Sequence, residues 1–222
     1  VGRAAVDEAY ALGVRHFGEN RVQDARQKFA EPLPQDATLH LIGQLQTNKA
    51  KYAVSLFDII ESVDRPSLID ELERQGAKHN TVVRILLEVN VSGEEQKAGC
   101  APTDASSLVA HIERCPHLQL LGLMTMAPLV DDPELTRPVF RTLRELRDRL
   151  CDENPSRQLS ILSMGMSNDF PVAIEACPHW PGDLRDLTAS MCGPRPYLVD
   201  SESPDRRCIS ARTLRSGPSP GA

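Results

Sequence analysis

The string L-S-M-G-M-S-N-D, residues 162–169, has the residue types to hold an anion. It leaves a short apolar stretch and enters a helical one. Gly165 permits a tight turn and close approach of the backbone to a ligand. Ser167 is a good helix N-cap, and the free N–H groups at a helix N-terminus bind phosphate. The same string also suits a capped turn with no ligand. Four further strings place polar groups at the ends of apolar runs. In H-F-G-E-N, residues 16–20, Asn20 either meets a ligand or caps the following helix. In L-H-L-I-G-Q-L-Q-T-N-K, residues 39–49, His40 lies on a strand, either facing an interior site or satisfied in the core; Lys49 and Lys51 fall on a solvated helix face. In G-L-M-T-M, residues 122–126, Met124 packs either on a flat ring or in the core. In E-V-N-V-S-G-E-E-Q-K-A-G, residues 88–99, a strand runs into a polar loop whose Glu94, Glu95 and Lys97 exchange with solvent. The adjacent carboxylates there make no general-acid pair, because nothing desolvates them. No dinucleotide, Walker A, nucleophile-elbow or H-E-x-x-H pattern occurs.

The elements that must position these groups alternate. Helical spacing over residues 1–12 ends at Gly13. Strand patterns follow at 14–18, 38–43, 57–61, 82–91, 118–126 and 159–164. Helical patterns separate them at 22–29, 45–55, 66–77, 102–115 and 133–152, and another follows at 168–176. Pro66 sits where a helix tolerates proline, in the first turn. The strands are nearly continuous apolar runs, as expected when both faces are covered. Strict alternation of strand and helix implies a parallel sheet with crossover helices. Six such strands fall short of the eight of a closed (β/α) barrel, so the fold class is α/β, an incomplete TIM barrel with first and last strands missing. In barrels of this kind phosphate sites gather at the C-terminal ends of late strands, which is where the glycine turn lies.

With 222 residues, 41% hydrophobic content and a net charge of −6, the composition is that of an ordinary folded domain. No apolar run reaches the roughly 18 residues of a membrane span, the amphipathic opening residues do not read as a leader, and the acidity gives no nucleic-acid footprint. Neither membrane nor nucleic acid is therefore expected as a partner. The six cysteines form no C-x-x-C pair and no zinc spacing with histidine; they read as free thiols in a reducing, cytoplasmic setting. After Ala176 the alternation stops, and residues 177–222, whose end from Asp200 is rich in Ser, Pro and Arg, read as an irregular, disordered or frameshifted tail behind a barrel unit of residues 1–176.

Taken in order, F-G-E-N-R-V-Q, H-L-I-G-Q-L-Q-T-N-K, S-V-D-R, N-V-S-G-E-E-Q-K-A-G, G-L-M-T-M and L-S-M-G-M-S-N-D resemble the YggS/PROSC family of pyridoxal phosphate homeostasis proteins over residues 1–176. The resemblance implies the barrel of the alanine racemase N-terminal domain. It implies binding of pyridoxal 5′-phosphate (PLP) by a non-catalytic, monomeric carrier or buffer, with PLP-dependent apo-enzymes as further partners. It implies that Ser163, Met164, Gly165, Met166 and Ser167 cradle the phosphate, with Ser167 the direct side-chain contact. Asn20, His40 and Met124 would line the ring. The family's Schiff-base lysine stands in a V-S-K-type string on the first strand, upstream of the helix that opens this sequence. Its last strand carries a G-S-T-x-V-R-I-G-type string, where A-C-P-H-W-P-G-D-L-R stands here. The five lysines, Lys28, Lys49, Lys51, Lys78 and Lys97, all fall outside the strand patterns, so covalent attachment of PLP is expected to be lost. A frameshift after Ala176 and a late start would account for both ends. Two alternatives stand beside this: a racemase-like PLP enzyme, and a non-binding remnant of a damaged gene.

Overall fold

The protein is described by a computed structural model that covers residues 2–94 and 96–176 in full, together with the strand backbones of 197–199 and 208–210. Six strands form one parallel sheet in sequential order: β1 (His16–Glu19), β2 (Thr38–Leu41), β3 (Ile59–Val63), β4 (Val83–Glu88), β5 (Leu118–Met124) and β6 (Ile161–Ser163). Helices α1 (Arg3–Ala11) and α2 (Val22–Lys28) flank β1; α3 (Ala50–Ala53), α4 (Pro66–His79), α5 (Ala105–Ile112) and α6 (Arg137–Glu153) make the following crossovers, and α7 (Phe170–Glu175) follows β6. The incomplete α/β barrel expected from the sequence is the fold observed.

Alternate residues of each strand face opposite ways. One set, including Leu41, Ile60, Ile85, Leu87, Leu123 and Leu162, is buried under the helices in the main core. Helix α6 shows how the pattern works. Phe140, Leu143, Leu146 and Leu150 recur at helical spacing and are buried, each worth about 1.5–3 kcal/mol of apolar transfer. The other set lines the concave face and is mixed: Ile59, Leu86 and Met124 form a small apolar cluster, while His40, Glu61, Glu88 and Ser163 are buried polar groups.

The sheet is strongly curled. In a flat sheet β3 and β6 would lie about 14 Å apart, three strand spacings. Yet the Ser163 hydroxyl donates to Glu61 Oε2 at 2.5 Å, which only a curved sheet allows.

Several boundaries differ from the sequence reading. The helix expected over 45–55 is a single 3-10 turn (Thr47–Lys49) running into the short α3. The Leu45 carbonyl here accepts from the Arg65 guanidinium at 2.8 Å. The helix expected over 102–115 is Ala105–Ile112. The long helix begins as a 3-10 turn, Pro133–Thr136, capped by the Asp132 side chain accepting from Glu134 N. Strand β3 is displaced toward the C-terminus, to Ile59–Val63, so that Glu61 stands mid-strand rather than at its end.

Beyond Ala176, β7 (Tyr197–Val199) and β8 (Cys208–Ser210) pair antiparallel as a sheet of their own, where no strand was expected. The remaining tail residues, on which the expectations of disorder and frameshift fall, lie outside the described residues, as does Glu95. No helix among the described residues is long and apolar enough to cross a membrane.

Candidate functional site

A buried polar string crosses the concave face. Parallel register sets Gly18 beside His40 and His40 beside Ile59, so the inward residues of β1, β2 and β3 stand side by side. His16 Nδ1 lies 3.0 Å from His40 Nε2. His40 Nδ1 lies 2.7 Å from Glu61 Oε1, and Ser163 closes the string on Glu61 Oε2 at 2.5 Å. A buried carboxylate costs several kcal/mol unless hydrogen bonds replace its water. Here both Glu61 oxygens have protein donors.

Glu88, next to Met124 in register, is the second buried acid. Gln44, on the loop after β2, donates to its Oε2 at 2.9 Å. Burial, and then the nearby charges of Asp64 and Glu61, push the Glu88 carboxyl up to about 8, so it holds its proton at neutral pH. His16, on the exposed rim of the string, moves the other way: the partial burial of its ring and the charge of His40 lower it, against a smaller opposing pull from Glu61.

The glycine turn lies at the C-terminal end of β6. Gly165 has φ +88°, and a Cβ there would stand 3.0 Å from Ala173 Cβ and 3.1 Å from Phe170 Cα. Only glycine suits that conformation in that space. Ser167 is not the cap of the next helix. Residues 167–169 form a turn, α7 begins at Phe170 with Asp169 in the N-cap position, and the helix expected from Asn168 is shorter accordingly. Asp169 Oδ1 accepts from Met166 N at 2.5 Å, which pins the turn, while its Oδ2 is buried without a partner among the described residues. Burial raises this carboxyl, against the pull of the Met166 N–H. Among the described residues the N–H groups of Gly165, Ser167 and Asn168 donate to no protein acceptor.

The residues singled out from the sequence are thus brought to one end of the barrel in unequal roles. His40 and Ser163 are buried within the polar string. Met124 is fully covered in the apolar cluster with Ile59 and Leu86, so it forms the floor. Met164 belongs to the main core under the helices and offers this face only its backbone. Asn20 is exposed at the end of β1; a Cβ on Gly43 would lie 2.1 Å from the Asn20 carbonyl oxygen, so Gly43 is what lets the β2 end pass so close. Glu94 and Lys97 pair with each other at 3.0 Å, and Lys97 also reaches the Met126 carbonyl. Lys51 is exposed and Lys49 half-buried.

Sequence reasoning missed Glu61, Glu88, Gln44 and the contact of His16 with His40. A signal was present for the two acids. A glutamate directly after paired isoleucines or leucines in a strand, as in I-I-E and L-L-E, is an expensive burial that needs a reason. No group of three or more His, Cys, Asp or Glu suited to a metal occurs among the described residues.

Comparison with known proteins gives a consistent result. Residues 2–179 match the family model of the alanine racemase N-terminal domain. A pyridoxal phosphate homeostasis protein from Aquifex aeolicus is 45% identical over 170 residues, covering 77% of this chain and 74% of the relative. That of Haemophilus influenzae is 36% identical over 174 residues, 78% of this chain and 73% of the relative. Among solved structures, PipY of Synechococcus elongatus with PLP bound superposes with a TM-score of 0.71 at 39% identity, covering 79% of this chain and 82% of that one. An alanine racemase of Clostridium difficile shares the fold alone, at TM-score 0.65 and 12% identity over 89% of this chain and 49% of its own.

Proposed function

The chain belongs to the pyridoxal phosphate homeostasis (YggS/PROSC) family, built on the alanine racemase N-terminal domain, and from that membership we propose that it binds PLP on the concave face, as a non-catalytic carrier or buffer in intracellular PLP homeostasis. The observation that carries this reading is the pinned turn after β6. It combines a left-handed glycine with unclaimed N–H donors beside a buried polar string. Those residues fit the cofactor. Spare backbone donors suit a phosphate, and the covered floor at Met124 with the polar rim at His40 and Asn20 suits a flat polar ring. When bound, PLP supplies an aldehyde and an electron-withdrawing ring.

In this reading Ser163, Met164, Gly165, Met166 and Ser167 hold the phosphate, with Met164 contributing only backbone and Ser167 its hydroxyl. His40, Asn20 and Met124 surround the ring. Attachment through the lysines of this chain is not part of the reading. Lys28, Lys49, Lys51 and Lys78 lie on helices or a helical turn and Lys97 on a loop, and Lys28 and Lys97 are paired with Glu19 and Glu94. A carrier role is favoured because His16, His40, Glu61 and Ser163 are engaged with one another rather than held as free acid and base on opposite sides of a ring. The unit responsible is residues 1–176. Its setting is the cytoplasm, consistent with the free thiols Cys100, Cys115 and Cys151, and it acts as a monomer that passes PLP to apo-enzymes.

The test is calorimetric titration of PLP against the wild type and Ser167→Ala, followed by borohydride reduction and peptide mapping. Loss of the Ser167 contact weakens binding by about 1.5–3 kcal/mol, the range for one hydrogen bond to a charged group. Equal affinities would reduce the turn to a structural loop. A stoichiometric adduct on one lysine of this chain would overturn the non-covalent reading.

A further inference from the structure

Glu61 has a side chain that joins the two halves of the site, and nothing in the proposed binding role assigns it a part. One oxygen meets His40, on β2; the other meets Ser163, on β6, which is 102 residues away in sequence. An ionised carboxylate can only accept. A Glu61 that accepts at both oxygens takes the Ser163 hydroxyl proton and requires a proton on His40 Nδ1. If His40 carries a single ring proton, that proton is on Nδ1 and its Nε2 accepts, so that His16 Nδ1, 3.0 Å away, carries the proton of that bond. The order is fixed from one end: His16 donates to His40, His40 to Glu61, and Ser163 to Glu61. His16 Nε2 is left as a lone pair on an exposed residue at the edge of the concave face. The Ser163 carbonyl is meanwhile held by Thr125 N at 3.0 Å. The first residue of the β6 turn is thus fixed at its backbone by β5 and at its side chain by β3.

We propose that Glu61 is a positioning residue of this site: its two oxygens set the tautomers of His40 and His16 and lock Ser163, so that the ring-side wall and the phosphate turn are held in register. The consequence for recognition is a ligand that donates a hydrogen bond to His16 while its anion sits on the turn. This rests on the PLP reading of the same face.

The experiment compares the full chain with Glu61→Leu, which fills the volume and removes both acceptors. Long-range proton–nitrogen NMR on histidine-labelled protein, without ligand, reads the tautomers. His40 is expected as Nδ1–H in the wild type and to move to Nε2–H, wholly or in large part, in the variant. PLP affinity by calorimetry is expected to fall about tenfold or more, the equivalent of about one hydrogen bond's worth of lost organisation. If either the His40 signature or the affinity of Glu61→Leu stays at the wild-type value, the proposal is overturned. Should Glu61→Leu not fold, Ser163→Ala cuts only the turn side. It must weaken PLP while leaving His40 as Nδ1–H, and any other result overturns the proposal. Failure of the wild type to bind PLP would overturn the cofactor reading and the ligand half of this proposal with it; the tautomer half is judged without ligand.

Discussion

Glu88→Gln should stabilise the protein by an amount that grows with pH. Glu88 is buried on β4, and burial with the charges of Asp64 and Glu61 takes its carboxyl from the ordinary 4.5 to about 8. The folded state therefore keeps a proton that the unfolded chain releases. For an acid raised on folding, stability falls as pH rises from the unfolded value to the folded one, and is level outside that window. At about 1.4 kcal/mol per pH unit, the interval corresponds to about 5 kcal/mol at most. That is a large part of the about 5–15 kcal/mol that holds a typical domain together. Glutamine has the same shape, carries no charge, and its carbonyl can still accept from Gln44, which donates to Glu88 at 2.9 Å. Urea unfolding of both proteins from about pH 4 to about pH 9 isolates the contribution as a difference. The gap in favour of the glutamine variant is expected to open by about 1.4 kcal/mol per unit above about pH 4.5. It should reach about 3 kcal/mol at neutrality and flatten above about pH 8. A gap that does not change with pH would show that Glu88 is already ionised in the fold and that the concave face is not desolvated as argued.

Gly165→Ala forces a side chain into φ +88° and to within 3.0–3.1 Å of Ala173 and Phe170; it should cost more than about 1 kcal/mol in thermal or urea unfolding and abolish measurable PLP binding, whereas a wild-type affinity would mean the turn does not form the phosphate seat. Racemisation of L-alanine in the presence of excess PLP, followed by chiral chromatography, should stay at the level of free PLP; a clear protein-dependent excess would replace the carrier reading with an enzymatic one.

What the sequence determined by itself is local. Short apolar runs between helical stretches dictate parallel strands under crossover helices, and all six strands of the main sheet lie in that order. The glycine in L-S-M-G-M-S-N-D announced a backbone turn that other residues resist, and Gly165 does adopt φ +88°. His40 was legible as a strand residue, but alternation alone left open whether it faced an interior site or the core. Helix starts were less legible: the stretch 45–55 forms only a 3-10 turn and the short α3, because terminal turns are settled by contacts outside the local sequence. The roles of Glu61, Glu88 and Met164 were decided only by the closed-up tertiary structure. Whether a strand glutamate is solvated, paired or neutral depends on what the curl of the sheet brings against it. The hydrogen bond from Ser163 to Glu61 spans 102 residues, and no spacing rule along the chain reaches that far. The proton on Glu88 is likewise set by water excluded and charges gathered from other strands and loops, quantities that exist only once the chain is folded.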